Sequence, residues 1–163
     1  MDDAGARDGD RQELELFQAA ELLLEECRTV LPGIQGLFGF QLVAVFSAHF
    51  HEQLSHGEQL LHLLAIALTS LAIALVMAPA ATHRQTDPCE VTIAFIRLSS
   101  SLLLWSMAPL ALGLCLDFYL VARVITGSVL LAWSAAGLFA AFSWFWYFLP
   151  RRFARRNRDN RGM

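Results

Sequence analysis

The chain has 163 residues, 56% of them hydrophobic, and a formal net charge of −3. Soluble domains of this size are nearer about 45–50% apolar, which argues against an ordinary water-soluble globule. The net charge averages two unlike ends: nine of the 15 acids lie in residues 1–28, and six of the 12 basic residues, all arginine, lie in 151–161.

Residues 1–10 are polar and acidic and are expected to be disordered. Residues 11–30 read as an amphipathic helix. Leu14, Phe17, Ala20, Leu24, Cys27 and Leu31 recur at steps of three and four, which places them on one stripe. Glu13, Glu15, Glu21, Glu25 and Glu26 fall mostly off it. Their acidity disfavours an anionic membrane surface and favours packing against protein. The N-terminus is acidic rather than basic and then apolar, so no signal peptide is expected, and the first apolar stretch is expected to direct insertion.

Four apolar stretches follow, over about 30–50, 59–82, 93–119 and 122–149. Each meets the roughly 20 residues that a bilayer crossing needs. The expected fold is all-α: a four-span transmembrane bundle (31–150) preceded by the amphipathic helix and followed by a basic tail (151–163). In the first span Pro32 is expected to restart the helix. Gly33, Gly36 and Gly39 follow at steps of three, spacing that permits close helix contact. Gln35 and Gln41 are amides at membrane depth, which need partners or water. They serve either a sealed helix contact or a water-filled path.

In the second span His62, Thr69, Val76 and Ala80 share a face, and Pro79 is placed to kink the last turn. The third span carries the clearest polar stripe: Ser99, Ser106, Gly113 and Asp117 fall within about 40° of one another at 100° per residue. Pro109, near that face, frees the carbonyl of Trp105. The fourth span offers Arg123, Gly127, Ser134, Gly137 and Ala141 as a facing stripe. Gly33, Gly36, Gly39, Gly113, Gly127 and Gly137 are the candidate helix-packing positions.

Basic residues collect on the cytoplasmic side of short loops. The loop His49–Glu58 has no arginine and the turn between the third and fourth spans only Arg123, whereas the N-terminal segment, the second loop and the tail are arginine-bearing. A multi-pass protein of the bacterial inner membrane with both termini cytoplasmic is expected. Trp144, Trp146 and Tyr147 precede the tail, where an interfacial aromatic belt would lie. The tail serves as a topology signal or as a contact for anionic headgroups.

Ionisable residues within spans are functional candidates. Asp117, Arg123 and His62 are expected at one depth in the outer leaflet, where Asp117 and Arg123 form either a structural salt bridge or part of a proton- or ion-handling site. His49, His51, His56 and His62 crowd the outer loop and are candidates for pH sensing, metal binding or simple solvation. Their spacing matches no metal signature, so neither metal nor cofactor is expected. Cys27, Cys89 and Cys115 show no pairing or ligand spacing. No phosphate-binding loop, dinucleotide fingerprint, zinc protease motif or nucleophile elbow occurs, so no enzyme is expected. The arginine cluster beside an aromatic belt reads as membrane anchoring rather than nucleic-acid binding.

The stretch LPGIQGLFGFQLVAVF, with MAPAATHR ending the second span, resembles a family of small, uncharacterised bacterial membrane proteins whose members are sometimes labelled sodium:proton antiporters. The resemblance runs from about Glu13 to Tyr147, with Pro32, Gly33, Gln35, Phe40, Pro79, His83 and Arg84 as its markers. It implies ion exchange but assigns no residue a role. The function expected is an ion channel or proton-coupled monovalent cation transporter, its path lined by Gln35, Gln41, Thr69, Ser99, Ser106, Asp117 and Arg123. Four helices enclose little space, so a homo-oligomer, most simply a dimer, is expected in the bilayer. The rival reading is a non-transporting anchor that binds partners through the acidic helix and basic tail.

Overall fold

The computed structural model describes residues 3–47, 50–85, 92–127 and 132–152, with the side chains of 3–13, His51 and Ala132 not described. Every element among the described residues is helical: α1 (Asp3–Val45), α2 (Phe50–Gln53), α3 (His56–Gln85), α4 (Ile93–Thr126) and α5 (Ala132–Ser143). A π-helical turn, Trp144–Phe148, follows α5.

Two helices, α3 and α4, are long and apolar enough to cross a membrane, rather than the four expected. Only 28% and 33% of their apolar windows are buried, whereas the core helix of a soluble protein would be mostly buried. Exposed large side chains such as Phe40 (78%), Phe46 (86%) and Trp105 (67%) are consistent with a lipid-facing surface.

The other two expected spans are drawn differently. The first belongs to a single 43-residue helix that starts at Asp3 and contains Pro32. Residues 3–10 are therefore helical rather than disordered, and no new helix starts at Pro32. Proline removes one N–H and one helix bond, and here it lies on an exposed face, where the freed carbonyl of Arg28 has room. The helix stops at Val45, short of residue 50. The fourth expected span is split: residues 122–126 complete α4, and α5 begins at Ala132. The third expected span ends at 119, but α4 continues to Thr126. Nothing breaks a helix until Gly127, which takes φ +65° and donates its N–H to the carbonyl of Arg123. That left-handed stop favours glycine.

Burial on α1 and α3 follows a seven-residue repeat, which α4 shares while also burying Pro109, Ala111, Cys115 and Ala122. On α1 it falls at Ala20, Cys27, Ile34 and Gln41, and on α3 at Glu58, His62, Ala65, Thr69, Ala72, Val76 and Pro79. On α4, Ser99, Ser106, Gly113 and Leu120 repeat the pattern. A 3.5-residue period is that of a coiled-coil seam. Most seam residues are small, which allows backbones to approach closely in an apolar medium. The expected α1 stripe is shifted: Leu14 and Phe17 are more than half exposed, and Ala20 and Cys27 carry the burial.

The described residues form two compact units. One comprises residues 1–40 and 69–108, the other 41–68 and 109–163. In the first, residues 24–31 of α1 and 76–84 of α3 border a cavity of about 310 Å³. In the second, α3, α4 and α5 border an apolar cleft of about 580 Å³ that includes Leu64, Cys115, Tyr119 and Phe139.

Candidate functional site

The second unit holds a cluster of buried polar groups. Gln41 ends the α1 seam, His62 lies on the α3 seam, and Asp117 projects from α4. The Gln41 amide donates to Asp117 Oδ2. His62 Nδ1 lies 3.3 Å from Asp117 Oδ1, with side-chain exposures of 9% and 18%. The other ring nitrogen, Nε2, is 3.0 Å from the backbone carbonyl of Gln41. Phe50 of α2 covers the imidazole at 5.3 Å between ring centroids.

Simple valence fixes the protons. A carbonyl can only accept, so His62 Nε2 carries a hydrogen. In a neutral ring Nδ1 is then a lone pair, facing a carboxylate oxygen that is also a lone pair. Two acceptors at 3.3 Å need a proton between them. That proton sits on the ring, giving an imidazolium–carboxylate pair, or on the carboxyl, giving a neutral pair. Either way the pair is neutral with one proton and carries −1 without it. Gln41 Oε1 is buried without a hydrogen-bond partner among the described residues, and Asp117 Oδ1 has no neighbour of its own beyond the His62 edge. Buried orphan acceptors are costly and attract a proton, a water or a cation.

A second pair lies one helical turn from His62 on α3. Arg123 Nε is 2.7 Å from Glu58 Oε1. The other Glu58 oxygen accepts from the Ser55 N–H (2.9 Å) and hydroxyl (2.7 Å). Ser55-His56-Gly57-Glu58 has the capping-box sequence, and the carboxylate makes the return half of that motif, reaching the N–H of the residue that precedes the helix. Glu58 was not among the expected site residues. Its signal was present, as Ser-x-x-Glu opening an apolar run.

Asp117 and Arg123 do not pair as expected. They lie on one helix, six residues apart and so about 240° around its axis. The expected path residues are divided. Gln41, Asp117 and Arg123 belong to the second unit, whereas Thr69, Ser99 and Ser106 are buried in the first. Ser106 donates to the carbonyl of Leu103, not to that of Trp105, and Ser99 Oγ has no partner among the described residues. Gln35 is exposed, away from Gln41. Of the four candidate histidines, His62 is buried and His56 exposed, while His49 and the His51 side chain lie outside the described residues. Cys89 and residues 153–163 of the tail also lie outside them. Gly113 is buried. A Cβ at Gly33, Gly36, Gly39, Gly127 or Gly137 would meet nothing within 4 Å, so these five glycines seal no contact within the chain. The α1 seam explains the first three: it runs through Ile34 and Gln41, which leaves the glycines to either side. In the aromatic run, Arg152 stacks over Trp144 at 5.1 Å.

The model of the family described as "Family of unknown function (DUF6328)" matches residues 12–150. The chain belongs to this family. The DUF6328 match includes every residue of the Gln41–His62–Asp117 cluster and of the Ser55–Glu58–Arg123 network. An uncharacterised family is what the sequence resemblance implied, and its description supplies no activity. No curated protein and no solved structure matches the chain.

Proposed function

We propose that the protein is a small bacterial inner-membrane transporter or channel for protons and monovalent cations, with Asp117 as the ion-binding group. The observation that carries this reading is the shared edge between His62 Nδ1 and Asp117 Oδ1. A buried pair that is neutral with one proton and −1 without it binds one cation equivalent. The proton and a small cation compete for it, and Gln41 Oε1, buried without a partner, and Asp117 Oδ1, once its proton has left, are oxygen ligands of the kind a monovalent metal ion takes. Arg123 and Glu58 close the same unit one turn away, where a change of partner would admit or exclude ions.

In this reading the apolar part of α1 and the segment 132–149 join α3 and α4 to give four crossings with both termini cytoplasmic. The exposed Gly33–Gly36 face of α1 is where a second copy docks to make a dimer. Flux in proteoliposomes tests the proposal. Wild-type protein is expected to move protons, sodium or potassium under a pH or voltage gradient, and Asp117→Asn to abolish that movement. Folded wild-type protein that moves none of these ions under either gradient would sink it.

A second reading, a membrane anchor without transport, is favoured by the small buried residues of the seam, which serve close helix contact without any ion. It is supported if flux is absent and a partner protein co-purifies stably with the full chain.

A further inference from the structure

The first unit contains a cavity that the ion-binding reading does not use. About 310 Å³ in volume, it is bordered by Leu24, Arg28 and Leu31 of α1 and by Met77, His83 and Arg84 of α3. The MAPAATHR end of α3 supplies one side of it, at the helical spacing that puts Met77, Ala80, His83 and Arg84 on one face. No acidic side chain lines the cavity. Among the described residues, neither Arg28 nor Arg84 has an ion-pair partner, and Glu25 and Glu26, the acids that precede Arg28 on α1, are both exposed. His83 is held at the edge by Phe95, at 5.8 Å between rings.

A cleft with leucine and methionine walls and two unpartnered guanidiniums at its rim is chemically two-faced. It suits a ligand that is anionic at one end and apolar at the other. Guanidinium forks match phosphate oxygens. Both arginines fall where the expected topology places the cytoplasmic interface, the level at which basic pockets between membrane helices take anionic headgroups. The volume accommodates a phosphate group and the first carbons of an acyl chain, the rest of which would continue along the exposed apolar surface.

We propose that this cavity binds one anionic phospholipid, with its phosphate held by Arg28 and Arg84 and its chain laid against Leu24, Leu31 and Met77. The site rests on membrane residence but not on ion movement, so the flux assay and this proposal can fail separately. The test is native mass spectrometry of the full chain released from detergent after incubation with phosphatidylglycerol or phosphatidylcholine. One phosphatidylglycerol should stay bound per chain, in preference to phosphatidylcholine by about 10-fold or more. The double variant Arg28→Gln, Arg84→Gln should lose that preference, while Arg97→Gln, an α4 arginine outside the cavity, should keep it. Ala80→Trp, which fills the cavity without changing charge, should lose binding of both lipids. Equal retention of the two lipids, an unchanged double variant, or the same loss in Arg97→Gln would overturn the proposal. Displacement of the lipid by millimolar inorganic phosphate would show a free-anion site instead.

Discussion

Replacing Asp117 by asparagine and by alanine should have opposite consequences for stability. In the wild type, the edge between His62 Nδ1 and Asp117 Oδ1 requires a proton. Asparagine supplies that hydrogen permanently: its amide N–H donates to Nδ1, while its carbonyl accepts from the Gln41 amide in place of Oδ2. The volume is unchanged and no charge remains. Asp117→Asn is therefore expected to unfold within about 0.5 kcal/mol of wild type, or to be more stable, since its amide satisfies the imidazole nitrogen and leaves no buried charge. Alanine leaves the Gln41 amide and the imidazole edge without partners. At about 1–2 kcal/mol per orphaned group, the loss is about 2–4 kcal/mol. Unfolding of purified protein by SDS titration in mixed micelles, followed by circular dichroism, measures both. If Asp117→Asn is destabilised as much as Asp117→Ala, the shared-proton geometry is wrong.

The capping box ranks two further variants. Glu58→Ala removes the partner of Arg123 and both Ser55 bonds, whereas Arg123→Ala removes only the ion pair, with a guanidinium side chain already 34% exposed. The same titration should show a loss of about 2 kcal/mol for Glu58→Ala and about 1 kcal/mol or less for Arg123→Ala; equal losses would mean that the cap contributes nothing. Gly127→Ala should cost about 1 kcal/mol through its positive φ alone, because a Cβ there meets no neighbour; a neutral result would place the end of α4 elsewhere. Burial, and secondarily the charge of Glu26, raises the Cys27 thiol pKa, so little reactive thiolate is present at neutral pH. In a Cys89→Ser, Cys115→Ser background, maleimide labelling of Cys27 at pH 7.5 should be at least about 10-fold slower in the folded protein than after denaturation; equal rates would remove α1 from the packed seam.

The interior faces of α3 and α4 were legible in the sequence because these two helices are long and apolar enough to cross a membrane, so that polarity rather than hydrophobicity supplies the contrast. Where nearly everything is apolar, the few small and polar residues mark the inside. His62, Thr69, Val76 and Ala80, and Ser99, Ser106, Gly113 and Asp117, share faces by spacing, and all but the half-buried Ala80 and Asp117 are buried. The partners were not legible. Two nearby charges, Asp117 and Arg123, suggested a turn, but charges do not stop a helix, and with α4 continuous the two side chains diverge. Each then meets a residue from the start of α3, more than fifty positions earlier, which no local pattern specifies. Gln41 was recognised as needing a partner, yet which of its neighbours would answer depends on the register of α1, and that is set by the seam rather than by the glycines beside it.

The seam has a consequence for how this protein responds to mutation. Ala20, Ala65, Ala72 and Ser99 have almost no volume to lose. In a soluble core, trimming a large side chain opens a hole and weakens the fold. Here an alanine scan would be nearly silent at these positions, which are already alanine or its close equivalent, and would register only at the larger or bonded members of the line, such as Ile34, Glu58 and His62. Sensitivity is inverted: one added isobutyl group at Ala72 must prise two backbones apart, while the exposed aromatic rings at Phe40 or Trp105 can be removed without opening a hole.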